Sequence, residues 1–203
     1  MVSDVIKLIV GLGNPGFIYA GSRHNIGFRV LKSLASSLKI NFKRDSSVSS
    51  LVARGKLLQQ DVILALPQSY MNLSGIAVRA LLKKFKVDLK DLLVVCDDLD
   101  LELGKIKVRP QGSSGGQRGL ESIIERLGTR DFCRLRVGIG RPKNSQDAAK
   151  YVLSGFLRQE KAAVRQIEED AVSGCMSWVK NGIVQTMNTF NKKPACRQAG
   201  SKN

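Results

Sequence analysis

The ten residues KLIVGLGNPG, Lys7 to Gly16, decide the fold class of this chain. An apolar run ends in a glycine-rich turn, which is typical of a buried strand that leads into a loop at the carboxyl edge of a sheet. Further along the chain, apolar runs rich in branched residues alternate with segments of helical period. The sequence therefore predicts a single α/β domain with a mixed, mostly parallel twisted sheet, flanked by helices on both faces.

The periodicity predicts six strands and five helices. The strands are Lys7 to Val10, Ser49 to Arg54, Val62 to Leu66, Leu92 to Cys96, Lys105 to Arg109 and Leu135 to Ile139. The helices are Ile26 to Leu38, Gly75 to Phe85, Gly119 to Leu127, Asp147 to Leu153 and about Gln159 to Lys180. We expect the domain to span residues 1–190 and a flexible tail to occupy 191–203, because that end is basic and poor in apolar residues.

Charge is the strongest compositional signal. Among 203 residues, 33 Lys and Arg oppose 17 Asp and Glu, a net charge of +16 that favours a polyanionic partner, either nucleic acid or an anionic membrane surface. No apolar stretch approaches the roughly 20 residues of a membrane span, and no leader pattern opens the chain, so we expect a soluble cytoplasmic protein. The four cysteines lack C-x-x-C spacing, which predicts reduced thiols and no metal site.

The turn Gly11 to Gly16 spells G-x-G-x-x-G, the pattern of a dinucleotide-binding loop. That function requires a helix that opens within the motif and an acidic residue about 20 positions further on. Pro15 lies inside the motif, and no Asp or Glu occurs between Asp4 and Asp45, so nucleotide binding is disfavoured. The turn would instead bring Asn14 into one crevice with His24, the chain's single histidine and its only imidazole for chemistry near neutral pH.

A second glycine-rich string, Gly112 to Gly116, spells the G-x-S-x-G of a nucleophile elbow around Ser114. In α/β-hydrolases the order along the chain is Ser, acid, His, whereas His24 precedes this serine. A His, Asp, Ser order exists on other folds, so serine catalysis stays a minor alternative. The favoured interpretation is a connection of small residues between a strand and a helix.

Five strings together resemble one family, the bacterial-type peptidyl-tRNA hydrolases: LIVGLGNPG, SRHNIGF, PQSYMNLSG, DDLDLELGKIKVR and LRVGIGRP. They follow the order and spacing of that family from Lys7 to about Phe156. The resemblance implies a monomeric enzyme of translation that hydrolyses the ester between a peptide and the 3′ ribose of tRNA, without a metal or other cofactor. It also implies contacts with the acceptor stem, the 3′ end and the 5′ phosphate of tRNA, and no membrane partner. A non-catalytic RNA-binding relative with the same fold is the alternative.

The family's catalytic residues match three positions. The resemblance implies that His24 is the general base on water, that Asp97 orients its ring, and that Asn72 contacts substrate and supports the developing oxyanion. On the residues alone, Asp98 or Asp100 could replace Asp97 as the partner of the histidine. Asn72, together with Ser74, could also cap the helix that begins there, a role that is compatible with the catalytic one.

The resemblance also implies binding residues. Those around the peptide and the 3′ end are Asn14, Tyr19, Asn25 and Met71. Arg109 and Arg136 resemble a clamp on the 5′ phosphate, since guanidinium groups grip phosphate in a bidentate manner, although one of them could pack on the sheet and pair with an acid. The chain departs from the family at Gln117-Arg118, where many members carry His-Asn. Arg118 could therefore contact RNA phosphate or point into solvent.

Overall fold

The computed structural model describes residues 5–142 and 147–191. Its strands are β1 (Lys7–Gly11), β2 (Lys43–Asp45), β3 (Ser50–Leu57), β4 (Gln60–Pro67), β5 (Leu92–Asp98), β6 (Ile106–Arg109) and β7 (Cys133–Gly138). Its α-helices are α1 (Ile26–Ser37), α2 (Ser74–Phe85), α3 (Arg118–Leu127), α4 (Ala148–Leu153) and α5 (Lys161–Phe190). No helix in these two ranges is long and apolar enough to cross a membrane.

The strands form one mixed sheet in the order β2-β3-β4-β1-β5-β7-β6. The four central strands, β4, β1, β5 and β7, are parallel, and the outer pairs β2–β3, β3–β4 and β6–β7 are antiparallel. The predicted fold class is therefore confirmed, with the parallel strands at the centre of the sheet. Because parallel strands end at the same edge, the loops that follow β1, β4, β5 and β7 meet there.

Helices cover both faces of the sheet. Along β1, Leu8 and Val10 pack in one apolar cluster with side chains of α2 and α3, whereas Ile9 packs in a second cluster with side chains of α1 and α5. This alternation follows from the two-residue period of a strand, and it shows why β1 is apolar throughout. A central strand that is buried on both faces has no polar side.

The beginning of α1 lies directly against the sheet. A Cβ atom placed at Gly27 would lie 2.5 Å from the carbonyl oxygen of Val95 and 2.6 Å from the amide nitrogen of Leu12. Only a residue without a side chain allows this approach. The close packing brings the turn Arg23–Asn25, which precedes α1, to the carboxyl end of β5.

The structure differs from the sequence-based expectations at three places. Strand β2 was not predicted, because its residues Lys-Arg-Asp carry no apolar pattern and the strand forms only by pairing with β3. Helix α5 continues to Phe190, ten residues beyond Lys180, although Gly182 has a non-helical backbone with φ 75°. Neither Asn72 nor Ser74 caps α2: the N-cap is Leu73, without a side-chain cap, and the Ser74 hydroxyl donates to the carbonyl of Met71.

Asn191, the first residue after α5, is held by hydrogen bonds to β6. Asn191 Nδ2 donates to the carbonyl oxygen of Val108 at 2.9 Å, and the amide of Val108 donates to Asn191 Oδ1 at 2.7 Å. Asn191 thus takes the place of a further strand partner for β6. The remaining residues of the predicted tail, 192–203, lie outside the described residues.

Candidate active site

A cavity of about 510 Å³ opens at the carboxyl edge of the parallel strands. Its walls come from the loops after β1, β4 and β5, the start of α3 and one side of α4. Seven of the ten site residues expected from the sequence line it: Asn14, His24, Met71, Asn72, Asp97, Arg118 and Arg136. Tyr19, Asn25 and Arg109 are not part of the lining.

The imidazole of His24 and the carboxylate of Asp97 form a buried pair in this cavity. His24 is 8% exposed and Asp97 is 2% exposed, and Nδ1 of the ring lies 2.9 Å from each carboxylate oxygen. An ionised carboxylate can only accept hydrogen bonds, so Nδ1 carries the proton and Nε2 keeps a free lone pair. The pair therefore provides a base whose tautomer is set by its neighbour.

The two other aspartates considered as partners are engaged elsewhere. Asp98 lies 3.0 Å from Nε of Arg136, and Asp100 accepts a hydrogen bond from Nε of Arg141 at 2.8 Å. Asp97 and Asp98 are neighbours in β5, so their side chains leave the strand on opposite sides, and only that of Asp97 faces the histidine. The strand period thus decides between candidates that sequence alone left open.

Gln117 is a site residue that the sequence did not reveal. Its Nε2 donates to Asp97 Oδ1 at 3.0 Å, and its Oε1 accepts from the amide of Leu120 at 2.7 Å, which makes Gln117 the N-cap of α3. Glutamine is not among the residues typical of that position, so the pattern carried no cap signal. The departure from the family at Gln117 was visible in the sequence, but its contact with Asp97 was not.

Asn14 and Asn25 join the loop after β1 to the start of α1. The amide of Asn14 donates to Asn25 Oδ1 at 2.8 Å, and Asn25 Nδ2 donates to the carbonyl of Asn14 at 2.9 Å. Both polar groups of Asn25 are therefore used on backbone, which gives it a structural place beside the cavity. Asn14 Oδ1 accepts from the amide of Met71 at 2.8 Å, which leaves Nδ2 of Asn14 as a donor.

Four arginines on or near the cavity differ in their burial. Arg136 is half-buried beside Asp98, whereas Arg118, at the start of α3, and Arg109, on β6, are exposed. The register pairs Arg109 with Arg134 across β6 and β7, and Arg136 is two residues further along the same face. Arg134 is 1% exposed, and burial lowers the pKa of its guanidinium.

Ser114 does not line the cavity, although its neighbours Gly115 and Gly116 do. Its hydroxyl accepts a long contact, 3.4 Å, from the amide of Gly116, whereas Nδ1 of the only histidine is directed at Asp97. This geometry gives no support to a serine nucleophile. In the two described ranges, no group of three or more His, Cys, Asp or Glu side chains is arranged to hold a metal ion.

The fold and the site together define an α/β protein in which a histidine, held by an aspartate, lines a cavity at the carboxyl edge of parallel strands. Residues 8–198 match the model of the family described as peptidyl-tRNA hydrolase, so the chain belongs to the peptidyl-tRNA hydrolase family. The family expected from the five strings is confirmed.

Individual relatives agree with this assignment over nearly their whole length. The peptidyl-tRNA hydrolase of Desulfitobacterium hafniense is 43% identical over 187 residues, which are 92% of this chain and 100% of that protein. That of Syntrophomonas wolfei is 45% identical over 186 residues, again 92% and 100%. The crystal structure of peptidyl-tRNA hydrolase from Acinetobacter baumannii is 36% identical, with a TM-score of 0.87 over 94% of this chain and 97% of that one. These matches support the prediction of a hydrolase over that of a non-catalytic relative.

Proposed function

We propose that this member of the peptidyl-tRNA hydrolase family cleaves the ester between a peptide, or an N-acyl-aminoacyl group, and the 3′ ribose of tRNA, with His24 as the general base on water. The observation that carries the mechanism is the buried pair in which His24 Nδ1 lies 2.9 Å from both carboxylate oxygens of Asp97. Family membership supplies the substrate, and this pair supplies the chemistry.

The first step is attack by water. Nε2 of His24 takes a proton from a water molecule while the water oxygen forms a bond to the ester carbonyl carbon. The ring then carries a positive charge, which the carboxylate of Asp97 stabilises at 2.9 Å. Gln117 holds this carboxylate in place through its own hydrogen bond of 3.0 Å.

The second step is departure of the tRNA. The carbonyl oxygen gains negative charge in the tetrahedral intermediate, and amide donors at the cavity wall can stabilise it. Nδ2 of Asn14 is one such donor, and the exposed amide of Asn72 is the other. When the intermediate collapses, the bond to the 3′ oxygen breaks, and that oxygen takes the proton back from His24.

The basic face near the cavity accounts for binding of the tRNA. Arg109 and Arg136 are diagonal neighbours on antiparallel strands, a relation that separates Cα atoms by about 7–8 Å. Two guanidinium groups at this spacing can hold one phosphate, the 5′ phosphate of the acceptor stem. Arg118 lines the cavity itself and is available to a phosphate near the 3′ end. Tyr19 is half-buried in the loop after β1 and would contact the 3′ end of the tRNA.

The remaining features of the proposal concern the setting of the reaction. The enzyme acts as a monomer in the cytoplasm, where translation produces peptidyl-tRNA, and it returns free tRNA for reuse. No cofactor takes part in the steps above, since water, imidazole and amide groups are enough for ester hydrolysis.

The test is a cleavage assay with N-acyl-aminoacyl-tRNA in the presence of a metal chelator and without nucleotides, which follows the release of free tRNA. Wild-type protein turns over, His24→Ala loses about 10²–10⁴-fold in kcat, and Ser114→Ala is close to wild type. If His24→Ala cleaves as fast as wild type, the mechanism is wrong. A wild-type protein that binds tRNA without cleaving the ester would instead identify a non-catalytic relative.

A further inference from the structure

Two neighbouring apolar side chains are highly exposed in the segment that connects Asn14 with His24. Phe17 is 95% exposed and Ile18 is 80% exposed, the highest values among the large apolar residues of the described ranges. They lie in the short turn Phe17–Tyr19, which buries none of its residues. Neither side chain therefore contributes to the core.

Backbone hydrogen bonds give this turn its shape. The amide of Tyr19 donates to the carbonyl of Gly16 at 3.3 Å, that of Ala20 to Phe17 at 3.1 Å, and that of Ser22 to Tyr19 at 2.9 Å. Gly16 enters the turn at φ 103°, a conformation that L-residues with a side chain rarely adopt. The turn thus presents Phe17 outward as a consequence of its own backbone geometry.

The position of the turn links it to the site. It connects Asn14 with His24, both of which line the cavity. Phe17 follows Asn14 by three residues, so their Cα atoms are at most about 11 Å apart. Tyr70, which is 59% exposed and also lines the cavity, precedes Met71, whose amide donates to Asn14 Oδ1. Exposed aromatic rings therefore occur in both loops that this hydrogen bond joins.

The net charge of the protein favours one kind of partner. The chain carries a net charge of +16, and of the seven Lys and Arg in residues 5–44, three (Lys7, Arg23 and Arg29) are paired with Asp91, Glu160 and Glu168. An apolar platform on a strongly cationic protein fits a ligand that has both flat apolar faces and negative charge, as unpaired nucleotides do. A purely apolar peptide would use the platform and gain nothing from the charge.

We propose that Phe17, supported by Ile18, is a stacking platform for an unpaired base at the 3′ end of the tRNA substrate. This inference rests on the proposed function for the identity of the RNA. It adds a site outside the cavity lining, in the segment that connects Asn14 with His24. Stacking tolerates any base, so the platform provides affinity without sequence preference.

A tryptophan reporter tests the contact directly. Trp178 is the chain's one tryptophan and is 1% exposed, so in the Phe17→Trp variant the introduced indole alone is accessible to ligand. The probes are deacylated tRNA and the same tRNA trimmed of its unpaired 3′ nucleotides. We expect intact tRNA to quench the new fluorescence and trimmed tRNA to leave it unchanged. Equal quenching by both, or none by either, overturns the proposal.

A binding series separates stacking from simple apolar contact. Phe17→Ala and Phe17→Leu should each bind intact tRNA about tenfold more weakly than wild type, whereas Phe17→Trp binds as well or better. Trimmed tRNA should bind all four proteins equally. Val184→Ala, which changes an apolar residue of α5 that is 70% exposed, is the matched control and should bind as wild type does.

Two further outcomes contradict the proposal. If Phe17→Leu retains wild-type affinity, the contact is apolar and not one of stacking. If deacylated tRNA binds Phe17→Ala normally and only substrates with long peptides are affected, the platform serves the peptide. Because deacylated tRNA and trimmed tRNA carry no peptidyl ester, the binding result with these two probes is independent of catalysis. Failure of the cleavage assay would overturn the proposed function, but the binding of deacylated and trimmed tRNA could still be measured and interpreted.

Discussion

Gln117 donates a hydrogen bond from Nε2 to Asp97 Oδ1 at 3.0 Å, while its Oε1 accepts from the amide of Leu120 at 2.7 Å. The bond to Leu120 favours the bond to Asp97, because the oxygen and nitrogen of a side-chain amide point in different directions. When the oxygen of Gln117 caps the helix, its nitrogen faces Asp97. The N-terminus of α3 therefore holds the carboxylate that orients His24. Asp97 accepts hydrogen bonds from both His24 and Gln117, so its position does not depend on the histidine alone.

The first prediction concerns this link. Gln117→Ala removes a hydrogen bond to a carboxylate, and we expect a loss of about tenfold in kcat with a smaller change in KM. The helix cap is lost too, which should lower the free energy of unfolding by about 1 kcal/mol. Steady-state kinetics and urea unfolding measure the two effects separately.

Two comparisons keep that prediction specific. Gln111→Ala changes an exposed glutamine of the same loop and should alter neither quantity. Gln117→Glu keeps an acceptor for Leu120 but sets a second carboxylate against Asp97, so its kcat near pH 7 should be below that of Gln117→Ala. Equal activity of Gln117→Glu and wild type would show that the contact does not matter.

The second prediction concerns the choice of aspartate. Asp97→Asn keeps the size of the side chain but can donate to Nδ1, which favours the tautomer with the proton on Nε2 and removes the base. We expect kcat to fall by about 10²–10⁴-fold. Asp100→Asn, whose carboxylate is exposed and pairs with Arg141, is the matched control and should retain full activity. A larger loss in Asp100→Asn than in Asp97→Asn would reverse the assignment.

The third prediction concerns the phosphate clamp. Arg136→Ala should weaken binding of tRNA that carries a 5′ phosphate more than binding of tRNA without it, and the slope of log K against log salt should fall by about one unit. Arg109→Ala should act in the same direction without loss of stability, because Arg109 is exposed. Arg136→Ala should also destabilise the fold, since it leaves the buried Asp98 without its cation. Equal losses for both tRNAs would contradict the clamp.

The fourth prediction concerns the pair of Arg23 and Glu160. Burial opposes ionisation of Glu160, but hydrogen bonds from Arg23 and from the amide of Leu157 outweigh it, and the pKa of this carboxyl is lowered. A lowered pKa in the folded state gives stability that is present above the unfolded value of 4.5 and is lost as the pH falls through the folded value. Glu160→Gln should therefore be less stable than wild type at pH 7 by about 2 kcal/mol, less than the about 3–5 kcal/mol of a fully buried pair.

Urea unfolding between pH 3 and pH 7 measures this difference. The gap between wild type and Glu160→Gln should narrow as the pH falls from 4.5 through the lowered pKa of the folded state, because the unfolded chain takes up a proton first and the native carboxyl then loses its charge as well. Glu125→Gln, on the exposed side of α3, is a control that should show no such gap. A gap that is the same at every pH would mean that the pair is not the cause.

The fifth prediction concerns the thiols. Cys96, Cys133 and Cys175 are buried and unbridged, burial raises the pKa of each, and that of Cys175 rises to about 12. In a Cys196→Ser variant we expect almost no reaction with an alkylating reagent at pH 8 in the native state, and complete reaction in urea, because the thiolate is the nucleophile. Rapid labelling of the native variant would contradict the buried positions.

The sequence predicted the strands that are buried on both faces and the helices that bury one apolar face. β5 is apolar from Leu92 to Cys96 because both faces of the strand are covered there, and α1 to α4 have one apolar face each. β2 and the last ten residues of α5 were missed because their own residues carry little signal. β2 depends on β3, and the last turns of α5 place Ile183, Met187 and Phe190 against the core across an interruption at Gly182.

The sequence by itself determined the α/β class, the family and the identity of the residues around His24, because each depends on local composition or on strings read in order. Only the tertiary structure decided that Asp97 and not Asp98 faces the imidazole, that Asn25 bonds to the backbone of Asn14, and that Gln117 holds the carboxylate. The residues of the Gln117–Asp97 contact are 20 positions apart, and those of the His24–Asp97 contact are 73 apart. Such contacts depend on strand order, register and the direction of each side chain, and these exist only once the parallel strands have brought their carboxyl ends to one edge.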